Sequence, residues 1–231
     1  HESLAFCGLQ ALVGRDAGAL PYGALKRLEI ARALAVQPKL LLMDEPAAGL
    51  NETETVEMQQ LIRRICEAGI SVLLVEHNMG LVMQVSDRIL VLDYGSRLAE
   101  GTPQEVQSDP KVIQAYLGGE GLHDISIEVH PGELVAIVGA NGAGKTTLLH
   151  TLSGIRKADR GSIRFDGREI TRLAPHRVVR AGICQVPEGR QVFPPLSVED
   201  NLRLGAYTLR KEKDWVNREL TSIYRLFPIL E

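Results

Sequence analysis

Sulfur and aromatic side chains are scarce in this sequence. Its 231 residues include three cysteines, one tryptophan, five tyrosines and four phenylalanines. Cys7, Cys66 and Cys184 are odd in number, far apart and form no C-x-x-C pair. That argues against a disulfide framework or a zinc site and fits a reducing cytoplasm. An excess of one charge is lacking too: 26 basic against 29 acidic residues leave a formal charge of −3. With no electrostatic footprint for a duplex, nucleic acid is not an expected partner. Long apolar runs are also missing. LVAIVGA and RILVL fall far short of a bilayer span, and no secretory leader is legible behind His1. With 45% apolar and 24% charged residues, the composition is that of a globular protein. Its length suits one sizeable α/β domain or two small ones, with a single core as the default.

A more telling absence is positional. Leu40 to Asn51 read LLLMDEPAAGLN, an apolar run ending in Asp44 and Glu45. Such a strand delivers two carboxylates to a magnesium-nucleotide site, yet no phosphate-binding loop precedes it. The surrounding pattern is βαβ. ALKRLEIARALAV, residues 24 to 36, places Leu25, Leu28, Ile30, Ala31 and Leu34 near one helical stripe, and Pro38 ends that helix. A second helix is expected from Thr53 to Ala68, closed by Gly69, followed by the buried strand ISVLLVEH. Met79 to Val85 reads as a short helix, RILVLDYG as a strand running into a turn, and Pro103 to Leu117 as a peripheral helix.

From Leu122 the texture changes. ISIEVHPGELVAIVG alternates and then turns continuously apolar, which predicts an exposed edge strand followed by a buried one. A helix follows over Thr146 to Leu152, GSIRFDGREI suggests a hairpin-like pair, and Pro175 to Arg180 a helix ahead of the strand GICQV. Ser197-x-x-Asp200 signals another helix start, and the remainder to Glu231 is mainly helical in pattern. There is no internal repeat and no low-complexity stretch.

The missing loop lies here, at Gly139 to Thr147. GANGAGKT fits GxxxxGK[ST] without mismatch, after a strand and before a helix. Gly139, Gly142 and Gly144, with Asn141 and Ala143 between them, let the backbone curl so that its N–H groups face phosphate oxygens beside a positive helix terminus. Lys145 is expected to reach the β- and γ-phosphates, Thr146 to ligate Mg²⁺, and Thr147 to touch the α-phosphate. Asp44 at a strand tip is suited to hold Mg²⁺ through water, and Glu45 to polarise the attacking water. An acidic strand end alone is usually only solvated, and a lone histidine such as His77 is more often structural. Both draw their significance from the phosphate loop.

In combination these stretches resemble an ATP-binding-cassette (ABC) ATPase. LPYGALKRLEIARAL, LLLMDEPAAGLN and VLLVEH look like the signature motif, the acidic strand with its D-loop, and the switch histidine, while GANGAGKTT looks like the phosphate loop. AAGLN, VEHNM, DRILVLDYG and GTPQEV are similar to one ATP-binding subunit of bacterial branched-chain amino-acid transporters. ISIEVHPGE, VPEGRQVF and SVEDNL are similar to its paralogue. The resemblance covers roughly Leu20 to Glu231 and implies a P-loop NTPase fold: a mostly parallel core sheet, a small antiparallel β-subdomain and a helical subdomain, with the motif order circularly permuted. It implies ATP and Mg²⁺ as ligands, with His77 as γ-phosphate sensor and Asn51 at the D-loop position. Leu20 to Ala24, with Tyr22 and Gly23, becomes the signature that contacts ATP held by an opposite subunit. Pro21 stands where the family has a serine, removing a hydroxyl and an N–H, and Glu188 stands where most members have glutamine. The aromatic residue that stacks on adenine in the family has no counterpart before Ile125; the nearest tyrosine is Tyr116.

Two arrangements account for the inverted order. One is a circular permutation; the other is a window across two fused cassettes, ending one and starting the next. The expected division is a C-terminal-type half over residues 1–119 and an N-terminal-type half over 120–231, completing each other as one composite domain. The function implied is an ATP-hydrolysing subunit on the inner face of the plasma membrane. It would pair with a second cassette subunit, identical or paralogous, and with permease subunits to import branched-chain or other hydrophobic amino acids. Another cargo, such as lipopolysaccharide export, and a cassette that binds nucleotide without turnover remain alternatives.

Overall fold

A computed structural model describes residues 15–93, 95–109, 125–189 and 191–209, together with Cys7, Leu9, Leu12 and Val112. Eight strands and seven α-helices are named here in chain order. Helix α1 (Tyr22–Leu34) leads to β1 (Leu40–Asp44), α2 (Glu52–Glu67), β2 (Ser71–Val75), α3 (Met79–Val85), β3 (Arg88–Asp93), β4 (Ser96–Gly101) and α4 (Pro103–Ser108). The second segment supplies β5 (Leu134–Gly139), α5 (Lys145–Leu152), β6 (Arg164–Phe165), β7 (Arg168–Glu169), α6 (Pro175–Ala181), β8 (Ile183–Val186) and α7 (Val198–Gly205).

Six strands form one sheet in the order β4-β3-β5-β2-β1-β8, while β6 and β7 form a separate antiparallel pair. All neighbours in the large sheet run parallel except β3 and β4. The strand leading to the phosphate loop, β5, lies between β2 and β3, and β8 flanks β1, so the two segments interleave. Alternate side chains feed two cores. Leu41, Met43, Val72, Leu74, Ala136 and Val138 face the layer of α1, α2 and α3. Leu42, Leu73, Val75, Val135 and Ile137 face the layer that includes Leu149 of α5 and Val178 of α6. Burial on both faces explains why these strands read as unbroken apolar runs.

Side-chain clamps reinforce the junction. Ser71 Oγ donates to the His130 carbonyl and accepts from the Gly132 N–H, both at 3.0 Å. Asp87 Oδ2 accepts from the Leu134 N–H at 2.8 Å. On α1, Glu29 Oε1 accepts from the Gln191 N–H at 2.6 Å, while Arg32 donates to the Gln191 carbonyl.

Several expectations need correcting. Helix α1 begins at Tyr22 and is not amphipathic: it packs against β8 and α7 as well as the core, so even Lys26 and Glu29 are buried. Residues 125–130 form no strand; Ile125, Ile127 and Val129 lie along the second core without a ladder partner. Strand β4 was not expected, because SRLAEG is polar and half-exposed. The helix starting at Pro103 ends at Ser108; residues 113–120, including Tyr116, lie outside the described residues, as do 210–231. The short helix at Met79–Val85 and the Ser197 cap of α7 match expectation, with Ser197 Oγ accepting from the Asp200 N–H at 3.0 Å.

Candidate functional site

In a parallel sheet the strand C-termini open onto one edge, and here β1, β2, β5 and β8 all deliver residues to it. Strand β5 ends at Gly139, where φ is +156° and a Cβ would lie 2.3 Å from the Leu92 carbonyl oxygen of β3. Asn141 and Gly142 are exposed, while Ala143 turns inward and donates its N–H to the Ala140 carbonyl at 3.1 Å. Gly144, at φ +90°, N-caps α5 without a side chain. The first-turn amides of a helix have no partner within it, and such a terminus after a glycine-rich loop suits phosphate oxygens. Lys145 is buried and donates to the Gly139 and Ala140 carbonyls at 2.8 and 3.0 Å.

Asp44, 1% exposed, closes β1. Thr146 Oγ1 of α5 donates to its Oδ1 at 3.4 Å, and its Oδ2 has no hydrogen-bond partner. Burial pushes the Asp44 carboxyl above its ordinary range; the Thr146 hydroxyl opposes this, and the carboxylates of Glu188 and Glu45 add to it. A buried orphan carboxylate oxygen beside a threonine hydroxyl is a hard-oxygen pair that suits Mg²⁺.

Glu45 follows in left-handed backbone, φ +47°, with its N–H donating to the Val75 carbonyl at 2.9 Å. That turn brings its carboxylate to 3.4 Å from Nδ1 of His77, which projects beyond β2 and is largely exposed. Glu188, exposed beyond β8, lies close enough to act electrostatically on Asp44. Thus Asp44, Glu45, His77, Lys145, Thr146 and Glu188, drawn from both segments, gather at one sheet edge. Thr147 continues α5, its carbonyl accepting from Thr151 Oγ1 at 2.7 Å.

Tyr22 and Gly23 sit at the start of α1 and pack on the turn after β1. Tyr22 Oη donates to the Ala48 carbonyl at 3.0 Å, and Gly23 packs against the end of the Glu54 side chain. Asn51 N-caps α2 in a reciprocal capping box with Glu54. One residue at the site was not singled out in the sequence. Glu76 is fully buried, and its carboxylate accepts from the backbone N–H groups of Ala47, His77 and Asn78. Its sequence signal is an acid directly after the apolar run Val72–Val75 of β2.

Comparison with known proteins accords with this geometry. The ABC transporter family matches residues 122–229, and the branched-chain amino acid ATP-binding cassette transporter family matches residues 96–121 directly ahead of it. The branched-chain amino acid transport ATP-binding protein BraF of Pseudomonas aeruginosa is 49% identical over 111 residues, 48% of this chain and 44% of its own. BraG of the same organism is 44% identical over 120 residues, 52% of this chain and 51% of its own. A ribose import ATP-binding protein of Rubrobacter xylanophilus, RbsA 1, is 32% identical over 206 residues, 78% of this chain and 41% of its own. A solved ATP-binding cassette of an ABC transporter in its ADP conformation is 36% identical, with a TM-score of 0.48 over 51% of this chain and 48% of that one. The chain spans about half the length of the curated relatives it matches. An alignment taking in 78% of the chain must cross from one segment into the other. Residues 122–229 thus match the ABC transporter family and residues 96–121 the branched-chain amino acid ATP-binding cassette transporter family, and along its length the chain is similar to ATP-binding-cassette transporter proteins.

Proposed function

We propose that the chain binds Mg²⁺-ATP on the loop from Gly139 to Thr147 and hydrolyses it to drive an importer for branched-chain or other hydrophobic amino acids. The observation that carries this reading is the convergence of Lys145, Thr146, Asp44, Glu45 and His77 from the ends of two parallel strands and the start of one helix. The loop amides from Gly142 to Thr147 bind the phosphates. Lys145 exchanges its two carbonyl acceptors for β- and γ-phosphate oxygens. Thr146 and Asp44 hold Mg²⁺, which when bound neutralises charge on the phosphates. Glu45 accepts a proton from the attacking water, and His77 donates to the γ-phosphate. Glu188, beside Asp44, orders water or metal at the same edge. The products are ADP and inorganic phosphate.

The interleaved sheet supports treating residues 1–119 and 120–231 as one composite cassette unit. The names of the relatives support branched-chain amino acids as cargo. The partners this reading calls for are a second cassette, identical or paralogous, and membrane permease subunits at the cytoplasmic face. Tyr22 and Gly23, at the start of α1, then offer their helix terminus to nucleotide bound by the opposite cassette.

One observation favours a second reading, binding without turnover. Pro21 N-caps α1 with no side-chain hydrogen bond and has no N–H, which leaves that terminus short of donors for a γ-phosphate. A melt with and without Mg²⁺-ATP, paired with an ATP turnover assay, separates the readings. At a hundred times its dissociation constant, nucleotide stabilises a competent site by roughly 2.7 kcal/mol. The expected result is a raised Tm in the unmodified chain, none in Lys145→Ala, and phosphate release. A shift without phosphate release selects the second reading, and no Lys145-dependent shift rejects both.

A further inference from the structure

The β1–β2 ladder ends at Asp44 and Val75, one residue short of Glu45 and two short of His77, whose side chains face each other across the site. Beyond it the backbone gives one more bond, from the Glu45 N–H to the Val75 carbonyl at 2.9 Å. The next rung is made by a side chain. Glu76 Oε1 accepts from the Ala47 N–H at 2.9 Å, on the turn that follows Glu45. Glu76 Oε2 accepts from the His77 and Asn78 N–H groups at 2.9 and 3.0 Å, on the loop that carries His77 into α3. Asn78 in turn caps α3, its Oδ1 accepting from the Leu81 N–H at 3.1 Å.

We propose that Glu76 is a positioning residue that binds the turn after Glu45 and the loop of His77 into one unit, so that both enter the site at a fixed separation. The carboxylate is 0% exposed, and His77 Nδ1 lies 3.8 Å from it. Burying a carboxylate is strongly unfavourable unless it is well hydrogen-bonded. Charge-assisted bonds from backbone amides are short and strong, and they constrain both partners. The three donors lie on two loops, so no single loop satisfies the group. The contact it stabilises runs alongside it: Glu45 Oε1 to His77 Nδ1, 3.4 Å. Buried and bonded to backbone N–H groups, Glu76 acts through Glu45 and His77. Its effect on turnover rests on the hydrolytic reading given above, whereas its clamp on the two loops does not.

Glu76→Gln tests this, because an amide presents one acceptor oxygen and turns an N–H₂ toward the other set of donors. Either the Ala47 bond or the His77–Asn78 pair is lost, with little change in volume. Amide exchange at the released N–H groups is expected to rise at least tenfold while exchange inside β5 stays the same. Turnover is expected to lose at least tenfold in kcat, with KM for Mg²⁺-ATP within threefold. Unchanged exchange at both loops overturns the proposal. So does a loss shared equally by kcat and KM, or an exchange gain with kcat intact, since a purely structural staple gives those results. If the unmodified chain binds Mg²⁺-ATP without turnover, the hydrolytic reading fails and the exchange pattern alone decides the role of Glu76. If Glu76→Gln has no cooperative melt, the scalar coupling between the Ala47 amide nitrogen and the Glu76 carboxyl carbon in the unmodified chain takes its place. Its presence supports the clamp and its absence overturns it.

Discussion

Gly139 and Glu45 both occupy positive φ, for opposite reasons. At Gly139 the constraint is space: a Cβ would sit 2.3 Å from the Leu92 carbonyl oxygen and 3.1 Å from the Ala143 Cβ. Gly132, in the turn before β5, has φ +76° but nothing within 4 Å of a Cβ. Gly139→Ala is therefore expected to lose about 3 kcal/mol of stability, and Gly132→Ala nearer to ~1 kcal/mol, readable as midpoint shifts in urea. At Glu45 a non-glycine side chain holds left-handed backbone at the site itself, a strain that concentrates where side chains must be aimed. Glu45→Gln keeps the shape and removes the proton acceptor. ATP-induced stabilisation is expected to persist while turnover falls by roughly 10²–10⁴-fold, measured as steady-state phosphate release.

At the scale of elements, α1 holds the second segment by gripping both sides of one peptide: Glu29 takes the Gln191 N–H and Arg32 its carbonyl. Burial raises the Glu29 carboxyl above its usual 4.5, against the opposing pull of that N–H and of Lys26 and Arg32. A raised folded-state value means the native form holds a proton that the unfolded form releases. Stability from this group is thus greatest below the unfolded value and declines as pH rises through the folded one. Glu29→Gln should flatten that segment of the Tm-against-pH curve, so its Tm relative to the unmodified chain should climb as pH rises from 4.5. Strands β1, β2 and β5 were legible because burial on both faces leaves continuous apolar runs. β4 was not, because a half-exposed antiparallel edge follows its neighbour rather than its own hydropathy. The alternation at 125–130 marks a packed face without a partner strand. At the site, the glycine-rich loop and the carboxylates of Asp44 and Glu45 at the end of β1 could be read from spacing. Glu76 and the Glu29–Gln191 contact could not, because a fold defines them: one needs two loops and the other joins residues 162 positions apart.

At the scale of the whole molecule, among the described residues every strand ladder between the segments passes through β5 or β8, with one isolated bridge from Asp16 to Ser197 beside them. Without the second segment, β1–β2 and β3–β4 are two separate ribbons, each below the size at which a sheet is independently stable. Residues 1–119 expressed alone are expected to melt without a cooperative transition, and mixing them with residues 120–231 to restore one; calorimetry of the mixture checks it.

The place of β5 between β2 and β3 also dictates a timetable. A ribosome builds β2 and β3 first, each with a row of unpaired backbone N–H and C=O groups facing a slot that the strand ending at Gly139 fills. Until that strand emerges, the nascent chain carries two unpaired β edges of the kind that recruit chaperones or neighbouring chains. Codon choice between residues 93 and 134, which sets how long the slot stays open, should therefore govern the yield of soluble protein more than codon choice after residue 139.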